Sequence, residues 1–108
     1  MTRKEATKLL YKIYRILEDE EVKVSLNRRI RAHGDVTFMP GNPAIRVRVN
    51  PSRRGRGGIL GTLLHELLHI VFFDFPEYEI SRLEKEMFRA LSDRQLANLL
   101  KRVAPVLR

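Results

Sequence analysis

The sequence predicts a single α+β domain, in which one helix precedes a small twisted sheet of three strands and three helices follow it. Three patterns lead to this order. Apolar residues recur at helical spacing over 3–18, apolar and polar residues alternate in short segments between 22 and 49, and a long apolar segment at 59–73 precedes two further helical patterns. The chain has 108 residues, of which 44 % are hydrophobic, a size that suits one compact domain over 1–108.

The first helix is predicted over residues 3–18, because its apolar residues recur at helical spacing between Lys, Arg and Glu side chains. The acidic stretch 18–21 then ends it. The predicted apolar face consists of Leu9, Leu10, Ile13, Tyr14, Ile16 and Leu17.

The sheet is predicted from three segments, Val22 to Leu26, Val36 to Met39 and Ile45 to Val49. The first and third alternate apolar and polar residues, which is typical of a half-buried strand. Arg29 to Ala32 is a candidate for a fourth strand.

Turn signals separate the predicted strands. His33-Gly34-Asp35 predicts a turn before the second strand, and Pro40 to Pro43 is the strongest turn signal in the chain. Asn50-Pro51 ends the third strand, since proline has no N–H to donate to a sheet. The glycine- and arginine-rich segment 52–58 predicts a basic loop.

The last two predicted helices begin with capping signals. Asp74 is predicted to cap the first of them, with Glu77 three residues later completing a capping box. Ser92 and Gln95 predict a second capping box, which opens a final helix that runs to about Val103.

Composition excludes several classes of site. The chain has no cysteine, so disulfides, Cys-ligated zinc and thiol catalysis are excluded, and the ligands of any metal must be His, Asp or Glu. No apolar run reaches the roughly 18–20 residues that a membrane span needs. The charged N-terminus does not resemble a signal peptide, so we expect a cytoplasmic location and no membrane partner.

The net charge of +8 is concentrated in one part of the chain. Nine basic residues and a single acid, Asp35, lie between Lys23 and Arg56. Such a field attracts polyanions, so a non-enzymatic, basic nucleic-acid-binding module is one alternative function. No nucleic-acid-binding motif accompanies the charge, so we favour the simpler explanation that arginines on exposed strand faces keep a small domain soluble.

The segment 59–73 is apolar nearly all round, which indicates a helix buried inside the domain. His65 and His69 are four residues apart, so they share one face of this helix and can both reach one zinc ion. Glu66 lies beside them and can take a proton from a zinc-bound water. An HExxH motif thus supplies two zinc ligands and a general base. Burial of unpartnered imidazoles would be costly, so the segment predicts a catalytic zinc site rather than core histidines.

The third protein ligand is predicted on the following helix, because the only other histidine, His33, lies upstream in a turn. The candidates are Glu77, Glu79 and Glu84. We choose Glu77, which has the polar Ser81 one turn downstream as a partner that could orient it. Glu77 would serve only as a helix cap if this choice is wrong.

The segment His65-Glu66-Leu67-Leu68-His69, followed by Glu77-Tyr78-Glu79-Ile80-Ser81, resembles the gluzincins, zinc peptidases with two histidine ligands and a downstream glutamate. More narrowly it resembles the CaaX-prenyl-protease and heat-shock membrane metallopeptidases, whose glutamate helix reads Glu-x-x-Ala-Asp. A short chain without their membrane spans is similar to the minigluzincins, minimal archaeal scaffolds described as latent proenzymes. On this match Glu77 is the third ligand, and Ser81 stands where the family has an aspartate that orients a ligand.

The resemblance implies a zinc-dependent peptidase acting on peptides or proteins, with Glu66 as the base. It also implies that an extended substrate pairs with a strand beside the active-site helix. Ile45 to Asn50, immediately upstream of that helix, is the natural candidate, and which strand forms the edge of the sheet is left open by the sequence. Tyr78, His33 and the arginines of the basic loop are open candidates for stabilising the oxyanion. A cleft in so short a chain is exposed, so self-association that blocks it is an expected form of latency. A structural or degenerate zinc site is the remaining alternative.

Overall fold

The computed structural model describes residues 1–41, 44–53 and 58–105 and confirms the predicted α+β class. A helix precedes three strands, and three helices follow them. In chain order the elements are α1 (Arg3–Glu18), β1 (Val22–Leu26), β2 (Gly34–Phe38), β3 (Ile45–Val49), α2 (Gly58–Val71), α3 (Glu77–Ala90) and α4 (Asp93–Val103).

The three strands form one mixed sheet in the order β1-β3-β2. β1 runs parallel to β3, whereas β2 runs antiparallel to it, so that Val24 and Val36 both lie opposite Val47. β3 is therefore hydrogen-bonded along both edges. The prediction that Ile45 to Asn50 could pair with a substrate is wrong for this reason, and the free edges of the sheet belong to β1 and β2.

The second strand begins earlier than predicted, because Gly34 pairs with Val49 instead of forming a turn. A Cβ atom at Gly34 would lie 2.8 Å from the carbonyl oxygen of Arg48 and 2.9 Å from Cγ2 of Thr62. Glycine at this position thus allows β2 to pack directly against α2. The predicted fourth strand is absent, since Arg29 to Ala32 forms turns and bends.

Helix α2 forms the centre of the core, as its apolar sequence predicts. It packs on β2 and β3 and also contacts α1 and α3. The helix ends at Val71, two residues before the predicted end at Phe73. Its fully buried side chains include Leu63, Leu64, Leu67 and Leu68.

Side-chain caps open two of the helices. The capping box of Ser92 and Gln95 is confirmed at the start of α4. The capping box predicted for Asp74 and Glu77 is wrong, because α3 has Pro76 at its N-cap and no side-chain cap there. Glu77 is the first residue of α3, and its carboxylate contacts two histidines instead of the backbone.

Two sequence predictions fall on segments that are only partly described. Residues 54–57 of the predicted basic loop and residues 42–43 of the predicted turn lie outside the described residues. In the described part of the chain, no helix has the length and apolar character needed to cross a bilayer.

Candidate metal centre

The site forms where α2 faces the first turn of α3. His65 and His69 lie on one face of α2, and their ring centroids are 5.0 Å apart. Nε2 of His65 lies 2.5 Å from Oε1 of Glu77, and Nε2 of His69 lies 2.8 Å from Oε2 of the same carboxylate. The structure therefore brings together the three side chains that the sequence predicts as metal ligands.

The donor set fits a zinc ion. One donor atom each from His65, His69 and Glu77 lies within 4.8 Å of the others. Ligands about 2.0–2.1 Å from a common zinc ion lie up to about 4 Å apart, so small side-chain rotations suffice to bind one. Two imidazoles and a carboxylate are also the ligand set of several catalytic zinc sites.

Glu84 contacts Nδ1 of His65, the ring nitrogen that does not face Glu77, and we did not predict this contact from the sequence. Its Oε1 lies 2.8 Å from Nδ1 of His65. A carboxylate on the second nitrogen fixes the ring orientation of a metal-binding histidine and raises its basicity. The seven-residue spacing of Glu77 and Glu84, which places both on one side of α3, is the sequence signal for this contact.

The other residues considered for the site take different positions. Ser81 lines a cavity beside His65, but among the described residues it makes no hydrogen bond to either histidine. The carboxylate that contacts Nδ1 of His65 is that of Glu84 instead. Glu79 contacts Arg82, with 2.7 Å between Oε2 and an arginine nitrogen, and lies outside the metal-binding group.

Two of the candidates for stabilising an oxyanion line the cavity next to His65. They are His33 and Arg53, and the cavity has a volume of about 550 Å³. Tyr78, the third candidate, is 71 % exposed and lines none of the cavities at this site. Arg54 and Arg56 lie outside the described residues.

Glu66 is buried beside the histidines and is only 9 % exposed. Burial raises the pKa of its carboxyl to about 7, and the neighbouring His65 partly opposes this shift. Within the described part of the chain, no residue donates a hydrogen bond to it. Hydrogen bonding to Glu84, reinforced by Glu77, raises the pKa of His65 despite partial burial.

An ion pair joins β2 and β3 near Glu66. Arg48 on β3 binds Asp35 on β2, with 2.8 Å between Nε and Oδ1, and a second nitrogen–oxygen contact completes the pair. The two residues are also opposite one another in the strand register. Asp35 adds a smaller contribution to the raised pKa of Glu66, because like charges disfavour ionisation.

No protein-family model, curated protein or solved structure matches this chain. The likeness to gluzincins therefore rests on the motif residues, and function must be argued from the geometry of the site.

Proposed function

We propose that the protein is a cytoplasmic, zinc-dependent peptidase of gluzincin type. The observation that carries the proposal is the convergence of His65, His69 and Glu77 beside the buried carboxylate of Glu66. Three protein ligands leave a fourth position for water, which is the arrangement of catalytic zinc, whereas structural sites usually have four protein ligands and favour cysteine.

Bound zinc and Glu66 have different roles in the proposed reaction. When zinc is bound, it lowers the pKa of a coordinated water and polarises a carbonyl group. Glu66 takes the proton of the water that attacks the peptide carbon and passes it to the amide nitrogen as the C–N bond breaks. The products are one carboxylate and one amine.

The free edge of β2 is the substrate-binding strand in this proposal, in place of the central strand β3. β2 runs beside α2, and a Cβ atom at Gly34 would lie 3.1 Å from Cγ of Glu66. An extended peptide that adds to β2 would therefore pass next to the base. Its backbone hydrogen bonds would be made with N–H and C=O groups that β3 does not use.

The burial of Glu66 argues against the two alternatives. A structural zinc site or a nucleic-acid-binding module has no use for a largely buried carboxylate that lines the cleft beside the three candidate ligands, because partial burial of a carboxylate costs free energy. A general base in a cleft needs this environment.

The test is the zinc content and peptidase activity of the wild-type protein and Glu66→Gln. We expect about one zinc per chain in both proteins by elemental analysis, and cleavage of unstructured peptides by the wild type alone. Glu79→Gln is the matched control, since it makes the same change outside the metal-binding group and should retain both properties. A wild-type protein that takes up no zinc on reconstitution would refute the proposal.

A wild-type protein that holds zinc but cleaves nothing would be in the latent state that the resemblance implies. Gel filtration of that sample then tests whether a second copy covers the cleft.

A further inference from the structure

The two ends of the cleft along β2 differ in chemistry. At the end where β2 begins, the cavity beside His65 is lined by Arg31, His33 and Arg53, together with the carboxylates of the candidate metal centre, Glu66, Glu77 and Glu84. At the end where β2 finishes, a second cavity of about 480 Å³ beside His69 is lined by Phe38 and Phe73, among others. Glu66 and Glu77 line both cavities, which therefore meet at the candidate metal centre. We call the side of Arg31 and Arg53 the basic end of the cleft, and the side of Phe38 and Phe73 its apolar end.

The basic end carries unneutralised positive charge. Arg31 and Arg53 are exposed, and neither forms an ion pair with any described residue. By contrast Arg48 on β3, the strand next to β2, already binds Asp35. The nearby arginines thus remain available to a carboxylate from outside the chain.

The segment that carries this charge is attached to the sheet by a buried side chain. Asn50 is 1 % exposed, and its Nδ2 donates to the carbonyl oxygen of Ile30 at 2.7 Å. Its backbone N–H donates to the carbonyl oxygen of His33, also at 2.7 Å. These bonds fix the backbone on both sides of Arg31 before a ligand binds. Because this part of the chain is already ordered, the entropic cost of binding is reduced.

The apolar end exposes two aromatic rings. Phe38 is 61 % exposed at the end of β2, and Phe73 is 78 % exposed just after α2. Both line one cavity together with Val36. Exposed aromatic side chains next to a polar site are typical of a binding subsite.

The direction of β2 decides which part of a substrate meets each end. β2 runs from Gly34 at the basic end to Phe38 at the apolar end. Antiparallel pairing is the more stable and the more common arrangement, so an added peptide would run the opposite way. Its N-terminal part then lies at Phe38 and Phe73, and its C-terminal part lies at Arg31 and Arg53.

We propose that the cleft selects extended peptides with a large apolar side chain on the N-terminal side of the scissile bond and a carboxylate on its C-terminal side. The carboxylate belongs either to an Asp or Glu side chain or to the free C-terminus of the peptide. This inference rests on the proposed peptidase function and names its substrate class.

Binding tests the inference independently of catalysis. A fluorescently labelled peptide with Leu and Phe in its N-terminal half and two Glu residues in its C-terminal half is titrated with zinc-loaded Glu66→Gln, and anisotropy is followed. We expect it to bind roughly tenfold more tightly than the peptide of reversed sequence and than the peptide with Gln in place of Glu. Comparison of amidated and free C-termini shows which carboxylate is bound.

Substitutions of the cleft residues then locate the two subsites. Arg31→Glu combined with Arg53→Glu should abolish the preference for Glu over Gln, and Phe38→Ser should weaken binding of the apolar half. The matched controls are Arg94→Glu on α4 and Tyr11→Ser on α1, which is also 61 % exposed, and neither should change binding.

The possible failures are distinguishable. Equal binding of the forward, reversed and Gln peptides, or a preference for the reversed peptide, would overturn this inference. If wild-type protein still cleaved those peptides, the peptidase proposal would survive. Absence of zinc together with absence of binding by any peptide would overturn both.

Discussion

At the scale of single residues, Glu77 shows what a motif can predict. Its two carboxylate oxygens each contact a different histidine, which explains why it does not cap α3 as the sequence suggests. The sequence allowed us to place Glu77 on the correct side of α3, because helical angles follow from residue numbers alone. It did not exclude Glu84 as the ligand, since that choice depends on how α3 crosses α2.

Glu77→Gln should lose zinc affinity strongly, because glutamine is a poor zinc ligand of almost the same shape. We expect a loss of at least about 10–100-fold, the range found when even an orienting partner of a ligand is removed. The measurement is competition with a chelator of known affinity. Glu79→Gln is the control and should bind zinc like the wild type, since Glu79 contacts Arg82. A greater loss in Glu79→Gln than in Glu77→Gln would contradict the assigned ligand.

Glu84 is a positioning residue in this interpretation, since it acts through His65. Glu84→Ala removes the acceptor for Nδ1, whereas Glu84→Gln keeps a neutral acceptor in the same place. We therefore expect zinc affinity to fall in the order wild type, Glu84→Gln, Glu84→Ala, with a total loss of roughly 10–100-fold. A purely structural role for Glu84 would lower the stability of the zinc-free protein without producing this order.

At the scale of elements, local patterns predicted most of the fold. The bounds of α1 match the predicted 3–18, and α4 begins with the predicted capping box, because spacing and caps depend on residues close together in the chain. The order of the strands in the sheet could not be predicted, since strand pairing is a long-range property. The predicted start of β2 was wrong, because the close approach of Gly34 to α2 exists only in the folded protein.

Gly34 and Gly61 should respond in opposite ways to the same substitution. Gly34→Ala places a methyl group 2.8 Å from a backbone oxygen, which neither β3 nor α2 can relieve without moving, so we expect a loss of about 1–3 kcal/mol in the free energy of unfolding. Gly61→Ala meets its nearest atom, Oε2 of Glu84, at an ordinary 3.6 Å and raises helix propensity, which should add up to about 1 kcal/mol. Urea unfolding of both variants measures this, and equal destabilisation would show that the close packing at Gly34 is not specific.

At the scale of the whole molecule, the candidate site lies at a junction that local patterns do not reveal. α2 supplies the two histidines and α3 supplies Glu77 and Glu84, while β2 lines the open side of the same cleft. The sequence predicted which three side chains lie together at this junction. The contrast between the two ends of the cleft could not be predicted, because it depends on how β2, the segment around Arg31 and the end of α2 pack together.

Removal of zinc should destabilise the entire domain, because the ion would join α2, which forms the centre of the core, to α3. A ligand that binds only the folded state at a free concentration a hundredfold above its Kd adds about 2.7 kcal/mol, which corresponds to roughly 10 °C or more in Tm for a domain of this size. We therefore expect a chelator to lower the Tm by that amount and added zinc to restore it. Glu77→Gln should show a much smaller zinc-dependent shift, whereas Glu79→Gln should shift like the wild type. Identical melting of the zinc-free and zinc-loaded wild type would mean that α2 and α3 are not joined by a metal.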